Sequence, residues 1–121
     1  MLKKLRKILY DRRIKKNLEH IKFDYFAYYG DSPVPAFQIK QNKQSNGEIY
    51  NVFFPKTEKS FILAFNKLKK YYFKKFSCSI IQENIRTYCD YFNLDKKVYD
   101  SCMEIYKEKR GFVKNVEEIN K

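Results

Sequence analysis

The residues most suited to catalysis in this chain are one histidine, His20, and three cysteines, Cys78, Cys89 and Cys102. A Ser-His-Asp or Cys-His site would have to use His20, which lies in a basic stretch, and the chain has no nucleophile-elbow motif. The cysteines are odd in number, and their spacing does not match the paired ligands of a zinc site. We therefore expect no catalytic residue, no metal site and no cofactor, and we expect the cysteines to be reduced residues of the core.

A glycine-rich phosphate loop and a metal-dependent nuclease site are two further kinds of enzyme site to consider. A glycine-rich phosphate loop is not present, because Gly30, Gly47 and Gly111 are each typical of a turn or a helix end, and we expect no small-molecule substrate. Asp31 followed by Gln38-Ile39-Lys40 resembles the acidic residue and x-Lys pair of restriction-type nucleases. In that pattern Gln38 replaces the carboxylate that would help to hold Mg²⁺. The sequence therefore favours a binding protein over an enzyme.

The positive charge of the chain is concentrated in two segments. The protein has 26 Lys and Arg against 14 Asp and Glu, a net charge of +12. Residues 1–22 carry +7 and residues 56–76 carry +6, whereas the rest of the chain is close to neutral. An A/T-rich genome would enrich lysine everywhere, so this segregation favours a surface for a polyanion.

The predicted nucleic-acid-binding residues are basic side chains of these two segments. Lysine predominates over arginine, which favours point-charge contacts to phosphates over base recognition. We expect DNA or RNA as the partner. The alternatives are an acidic protein, such as a nucleic-acid enzyme that the chain inhibits, and a place inside a ribonucleoprotein. The predicted residues are Lys3, Lys4, Arg6, Lys7, Arg12, Arg13, Lys15, Lys16, Lys56, Lys59, Lys67, Lys70 and Lys74.

The first of the two segments, residues 1–22, has a helical pattern with two apolar stripes on different faces, and a bend is predicted near Asp11. The second stripe is expected to pack on the body of the protein. The first stripe either packs as well, which we favour, or is offered to a partner. The first stripe is Leu2, Leu5 and Leu9, and the second is Tyr10, Ile14, Leu18 and Ile21.

Residues 23–55 have the pattern of a three-stranded antiparallel meander. The predicted strands cover residues 23–29, 36–41 and 48–54, joined by a proline-containing loop over 30–35 and a polar turn over 42–47. Three strands need a covering layer on their apolar face. Exposed aromatic residues would serve for base stacking, but we expect Tyr25, Tyr28, Tyr29 and Tyr71 to belong to the core.

Residues 56–76 are predicted to form one amphipathic helix that begins near Thr57 and covers the sheet. Its apolar face is predicted to contain Phe61, Phe65, Leu68, Tyr72 and Phe76. Lys56, Lys59, Lys67, Lys70 and Lys74 fall within about 80° of each other on the opposite face.

The last segment, residues 77–121, is predicted to be a neutral pair of helices. Ser79 with Gln82 resembles a capping box for the first helix, and Asp95 is suited to cap the second. Gly111 predicts a break before a final turn or short helix with Phe112, Val113 and Val116. The predicted seams are Ile81, Ile85, Tyr88 and Phe92 in one helix and Val98, Cys102, Ile105 and Tyr106 in the other.

Residues 23–75 also resemble a family of DNA-binding domains. Three short strands followed by the run VFFPKTEKSFILAFN, residues 52–66, are similar to the sheet-then-helix unit of AP2-type and integrase arm-binding DNA domains. The resemblance implies the same sheet-plus-helix fold and binding to DNA. Members of that family contact the major groove with arginines on the strands, whereas the predicted strands here have no arginine. Any nucleic acid is therefore expected at the helices.

Together these patterns predict a single α+β domain over residues 1–121. No apolar run reaches the length of a membrane span, and charges interrupt the N-terminus too often for a signal peptide, so we expect an intracellular protein that is not membrane-bound. Small size and biased composition suggest a virus, plasmid or other mobile element. If the chain is viral, the host cytoplasm or nucleus is its expected location.

Overall fold

The computed structural model describes residues 2–41 and 49–110, which fold into helices and one antiparallel sheet. The predicted α+β class is confirmed. The elements are α1 (Leu2–Leu18), β1 (Tyr25–Ala27), β2 (Ala36–Gln41), β3 (Ile49–Phe53), α2 (Glu58–Asn66), α3 (Lys70–Lys75), α4 (Cys78–Phe92) and α5 (Lys96–Arg110).

The sheet is the predicted meander, with strand order β1-β2-β3. β1 is shorter than predicted, and the turn over residues 42–47 lies outside the described residues. Phe37 of β2 pairs with Phe26 of β1 and with Phe53 of β3. Because residues directly opposite each other in a sheet share a face, these three rings lie together on one side.

That aromatic face packs against α2 and α4. The Phe61 ring of α2 lies edge-on to Phe37 at 5.2 Å between centroids, and it is 4.5 Å from the ring of Tyr88 in α4. Phe26 and Phe65 also meet edge-on, an arrangement that the aromatic quadrupole favours. The predicted inward positions Phe61, Phe65, Leu68 and Tyr72 are all buried, and Phe76 is half-buried.

The predicted single helix over residues 56–76 is wrong, because it is divided into α2 and α3. Thr57 does begin α2, where its side chain accepts a hydrogen bond from the Ser60 N–H. Leu68 forms an isolated parallel bridge with Phe23, and the Lys69 N–H donates to the Phe23 carbonyl at 3.0 Å. These tertiary hydrogen bonds replace the helical ones between the two helices.

The helices α4 and α5 pack as the predicted pair, with one change at a helix start. Ser77, not Ser79, caps α4, because the Ser77 hydroxyl accepts from the Ile80 N–H at 3.4 Å. Asp95 caps α5 as predicted, since its Oδ1 accepts from the Lys97 N–H at 2.8 Å. Ile81, Ile85, Tyr88, Val98, Cys102 and Tyr106 are buried, and Phe92 and Ile105 are half-buried. The predicted break at Gly111 and the turn with Phe112, Val113 and Val116 lie outside the described residues.

α1 is one uninterrupted helix through Asp11, where a bend was predicted. Leu18 of the second stripe is buried, and Tyr10 and Ile21 are half-buried against the core, whereas the Ile14 side chain lies outside the described part. The expectation that the first stripe packs is wrong: Leu2, Leu5 and Leu9 are 72%, 53% and 53% exposed. Every residue over 2–9 is exposed, because the first two turns of α1 extend past the body that Tyr10 and Leu18 contact.

Some residues assigned to the core by their type lie at the surface. Cys89 and Cys102 are buried free thiols as expected, but Cys78 is an exposed free thiol in the first turn of α4. Tyr28, Tyr29 and Tyr71 are each about half exposed, so their predicted burial is also wrong. Tyr28 and Tyr29 follow the short β1 into the loop, so they are beyond the part of the sheet that the helices cover.

Candidate nucleic-acid interface

A groove between α1 and α2 brings together cations from the two basic segments of the chain. Its volume is about 580 Å³, and we call it the α1–α2 groove. Arg12 and Lys15 come from α1, and Lys59 comes from α2. The remaining lining residues are Ile8, Asp11, Ile62 and Leu63.

The position of α1 beside α2 is fixed by two hydrogen bonds near the N-terminus of α2. The Thr57 hydroxyl donates to Oδ1 of Asp11 at 2.5 Å, and the Lys56 N–H donates to the Tyr10 hydroxyl at 3.4 Å. Thr57 is also the N-cap of α2, so the Asp11 carboxylate lies close to the positive end of that helix. The same contact that docks α1 therefore also stabilises the start of α2.

The charged side chains of α1 that are exposed to solvent are all positive. Asp11 is the only acidic residue of this helix, and it is half-buried and bonded to Thr57. Arg12, Lys15 and Lys59 are all exposed, so their charges remain hydrated and accessible at the groove. An apolar floor between exposed cations suits a ligand that carries negative charge along its outer surface.

The other predicted contact residues are distributed over three parts of the surface. Lys67 ends α2 and is half-buried, whereas Lys70 and Lys74 belong to α3, so the predicted lysine stripe is broken between two helices. Lys56 precedes α2 and is exposed. Lys3, Lys4, Arg6 and Lys7 lie on the exposed first two turns of α1, and Arg13 and Lys16 lie on its later turns.

Among the described residues, three of the lysines that make structural contacts are Lys69, Lys75 and Lys109. Lys69 forms an ion pair with Asp24, with 2.6 Å between Nζ and Oδ1. The Lys109 ammonium donates to the carbonyls of Asn66 and Leu68, which lie at the break between α2 and α3. Lys75 lies 5.5 Å above the ring of Tyr25. Because these three lysines make contacts within the protein, the number of lysines alone overstates the charge that is available to a ligand.

The residues that resemble a nuclease pattern do not form a metal site in the described structure. Asp31 is exposed in the turn after β1, and the Gln38 amide donates to the Ala27 carbonyl at 2.7 Å. The Lys40 side chain lies outside the described part of the chain. Among the residues described, no group of three or more His, Cys, Asp or Glu side chains is placed to hold a metal ion.

Four buried groups, the thiols of Cys89 and Cys102 and the phenols of Tyr72 and Tyr88, are held in their neutral forms. Burial raises the pKa of the Cys89 thiol to about 11 and raises that of Cys102 still further. Burial likewise raises the pKa of Tyr72 and of Tyr88. The two hydroxyls donate to the backbone carbonyls of Phe26 and Pro55, respectively. These thiols and phenols therefore act as packing and hydrogen-bonding groups.

The aliphatic floor of the α1–α2 groove was missed by sequence reasoning. Ile8 belongs to neither of the apolar stripes recognised in residues 1–22, yet it lies between them and faces α2. Its spacing to Arg12 and Lys15 is three to four residues, which places all three on one helical face. That spacing was the available signal, whereas the identity of the facing helix required the tertiary structure.

Comparison of the chain with protein-family models, curated proteins and solved structures finds no match. None of the helices in the described residues combines the length and the apolar character of a membrane span.

Proposed function

We propose that the protein binds nucleic acid through its phosphate backbone, without catalysing a reaction, and that the α1–α2 groove is the centre of the binding surface. The observation that carries this proposal is the meeting of Arg12 and Lys15 with Lys59 at one groove. The first two come from one charged segment and the third from the other, although Lys59 lies 44 positions after Lys15 in the sequence.

The chemistry of the cations favours a polyphosphate ligand of low sequence specificity. Exposed lysines contact phosphates as point charges, and each contact releases a counterion from the nucleic acid. The basic residues of α1 extend from the groove along its outer surface, so they continue the same positive field. Such a surface binds many sequences with similar affinity and loses affinity as salt rises.

The helices, and not the sheet, are the proposed contact surface. The family that residues 23–75 resemble uses arginines on the strands, but β1, β2 and β3 contain none. One face of the sheet is also occupied by α2 and α4, because Phe37 packs against Phe61 and Tyr88. The resemblance therefore supports the order of elements more than the mode of binding.

The direct test is a titration of the purified chain into labelled duplex DNA, single-stranded DNA and RNA at several salt concentrations. Three phosphate contacts predict a log-log slope of affinity against salt of about −2 to −3, and further contacts along α1 make it steeper. Parallel salt dependence on unrelated sequences is the expected result. Absence of binding at low salt to all three ligands would refute the proposal.

A second candidate function is docking onto an acidic protein. It is favoured by one specific observation, the exposure of Leu2, Leu5 and Leu9 on α1. Nucleic acid offers little to three exposed aliphatic side chains, whereas a protein surface can bury them.

A further inference from the structure

The face of α1 that points away from the body has a heptad pattern that none of the phosphate contacts proposed above requires. Leucines at 2, 5 and 9 are followed at the same three- and four-residue spacing by Arg12 and Lys16. All five side chains are exposed, and we call them the α1 seam. In a two-helix coiled coil, such positions are the ones that insert between the side chains of a facing helix.

The rest of α1 agrees with this assignment of the seam. The positions that face the body include Tyr10 and Asp11, which bond to the backbone of Lys56 and to Thr57. The positions that flank the seam hold Arg6, Arg13 and Lys15, together with Ile8. Flanking positions of a coiled coil set the choice of partner by charge, and here their three ionisable residues are all cationic.

The leucines at the tip of α1 have little packing from the rest of the described chain. Residues 2–9 are all exposed, so the first two turns of α1 bury little apolar surface against the described body, although such burial is the main source of helix stability in proteins. Leu2 is 72% exposed and Leu5 is 53% exposed, although both are large aliphatic residues. Nothing within residues 2–41 and 49–110 covers these leucines, so their faces are open to an occupant.

Charge distinguishes between the possible occupants. A second copy in parallel would place Arg12 against Arg12 and Lys16 against Lys16, and an antiparallel copy would place those cations against the leucines. An anionic bilayer would accept the leucines, but Arg12 and Lys16 lie on the same face, so their side chains would have to bend back to the headgroups while the leucines insert. A helix with leucines followed by carboxylates satisfies both halves of the seam.

We propose that the α1 seam binds an acidic amphipathic helix of another protein. Leucines of that helix cover Leu2, Leu5 and Leu9, and its carboxylates pair with Arg12 and Lys16. Glutamates at its flanking positions pair with the cations beside the seam. This surface shares Arg12 with the α1–α2 groove, and its flanking residues Ile8 and Lys15 also line that groove. The proposal rests on the second candidate function, docking onto an acidic protein, and not on nucleic-acid binding.

The test uses two synthetic helical peptides and the full chain. Both peptides carry leucines opposite Leu2, Leu5 and Leu9, but the acidic peptide has glutamate opposite Arg12 and Lys16, and the basic peptide has lysine there. Fluorescence anisotropy should show micromolar binding of the acidic peptide and at least tenfold weaker binding of the basic one. The double variant Leu5→Gln/Leu9→Gln should lose at least tenfold in affinity for the acidic peptide.

Two controls make the result specific. The matched variant Ile80→Gln/Tyr91→Gln removes exposed apolar side chains elsewhere and should leave peptide affinity within about threefold of the parent. The charge-reversed variant Arg12→Glu/Lys16→Glu should prefer the basic peptide. Circular dichroism of each variant checks that its helices are retained.

Several outcomes would overturn the proposal. Equal binding of both peptides, or no binding of the acidic peptide up to about 1 mM, would show that the seam does not select an acidic helix. Light scattering that finds a parent dimer and a monomeric leucine variant would assign the seam to a second copy. Flotation with phosphatidylserine vesicles that depends on Leu5 and Leu9 would assign it to a membrane surface. Loss of nucleic-acid binding with retained peptide binding would refute only the proposed function.

Discussion

The Asp11 carboxylate of α1 accepts a hydrogen bond of 2.5 Å from the hydroxyl of Thr57, a residue 46 positions later that caps α2. Thr57 thus joins two helices that carry the opposing walls of the α1–α2 groove. The relationship explains why the only acidic side chain of α1 contributes little negative charge to the outer surface of that helix.

Replacing Asp11 by alanine should loosen α1 from the body. The variant loses a charged hydrogen bond and leaves the Thr57 hydroxyl without that acceptor, so we expect a fall of about 1–2 kcal/mol in the free energy of unfolding. Urea denaturation measures the change, and hydrogen exchange should show faster exchange in α1. Glu19→Ala is the control, because Glu19 is exposed. Equal stability of the two variants would show that the contact does not hold the helix.

Phe65 belongs to α2, which lines one side of the α1–α2 groove, and its side chain lies in the core. Its ring is fully buried and meets the rings of Phe26 and Phe73 edge-on. Phe65→Ala should lower the free energy of unfolding by about 3–5 kcal/mol, because it leaves a cavity. Tyr71→Ala, at a position that is 56% exposed, should cost far less. A small loss for Phe65→Ala would mean that the core is packed differently.

The three thiols should separate by their reaction with iodoacetamide under native conditions at pH 8. Cys78 is exposed and should be alkylated, whereas Cys89 and Cys102 are buried with raised pKa values and should react only after unfolding. Intact mass spectrometry should therefore show one modification in the native protein and three in urea. Rapid native modification of three thiols would contradict the described packing of α4 against α5.

Stability should decrease in alkaline solution. Burial raises the pKa of Cys89 from its ordinary value near 9 to about 11, so the unfolded chain releases this proton before the folded one. The contribution of the neutral Cys89 thiol to the free energy of unfolding is complete below pH 9. It is lost between pH 9 and 11, at no more than about 1.4 kcal/mol per pH unit. Denaturation across this range should show a shallower fall for Cys89→Ala. An identical pH dependence would show that Cys89 is not the responsible group.

The sequence predicted the elements well where local chemistry determines them. The strand pattern identified the meander, and Thr57 and Asp95 were correctly assigned as helix starts. The helical spacing of Phe61, Phe65 and Tyr72 also identified the buried face of α2 and α3.

The failures arise where a distant part of the chain decides the outcome. The break between α2 and α3 follows from the pairing of Leu68 with Phe23, and neither glycine nor proline indicates it in the sequence. The exposure of Leu5 and Leu9 depends on where the body of the protein ends along α1, which periodicity does not reveal. For the same reason the charge pattern identified the basic segments but not the groove at which Arg12 and Lys59 meet.

The measurement that tests nucleic-acid binding at the α1–α2 groove most directly compares three charge-reversed variants of equal net charge in one salt series. The groove variant is Arg12→Glu/Lys15→Glu/Lys59→Glu. The α3-side variant is Lys67→Glu/Lys70→Glu/Lys74→Glu, and the control is Lys96→Glu/Lys97→Glu/Lys107→Glu on α5. All nine positions are exposed except the half-buried Lys67, so thermal unfolding should show folded proteins.

The account predicts that the groove variant has the largest loss of affinity for labelled DNA or RNA and that its log-log salt slope is flatter by about 2–3 than that of the parent. The α3-side variant should lose less, because its lysines lie at the end of α2 and on another helix, and the α5 variant should lose least. Equal losses in all three variants would show that only net charge matters. A groove variant that binds as the parent does would contradict the proposed interface.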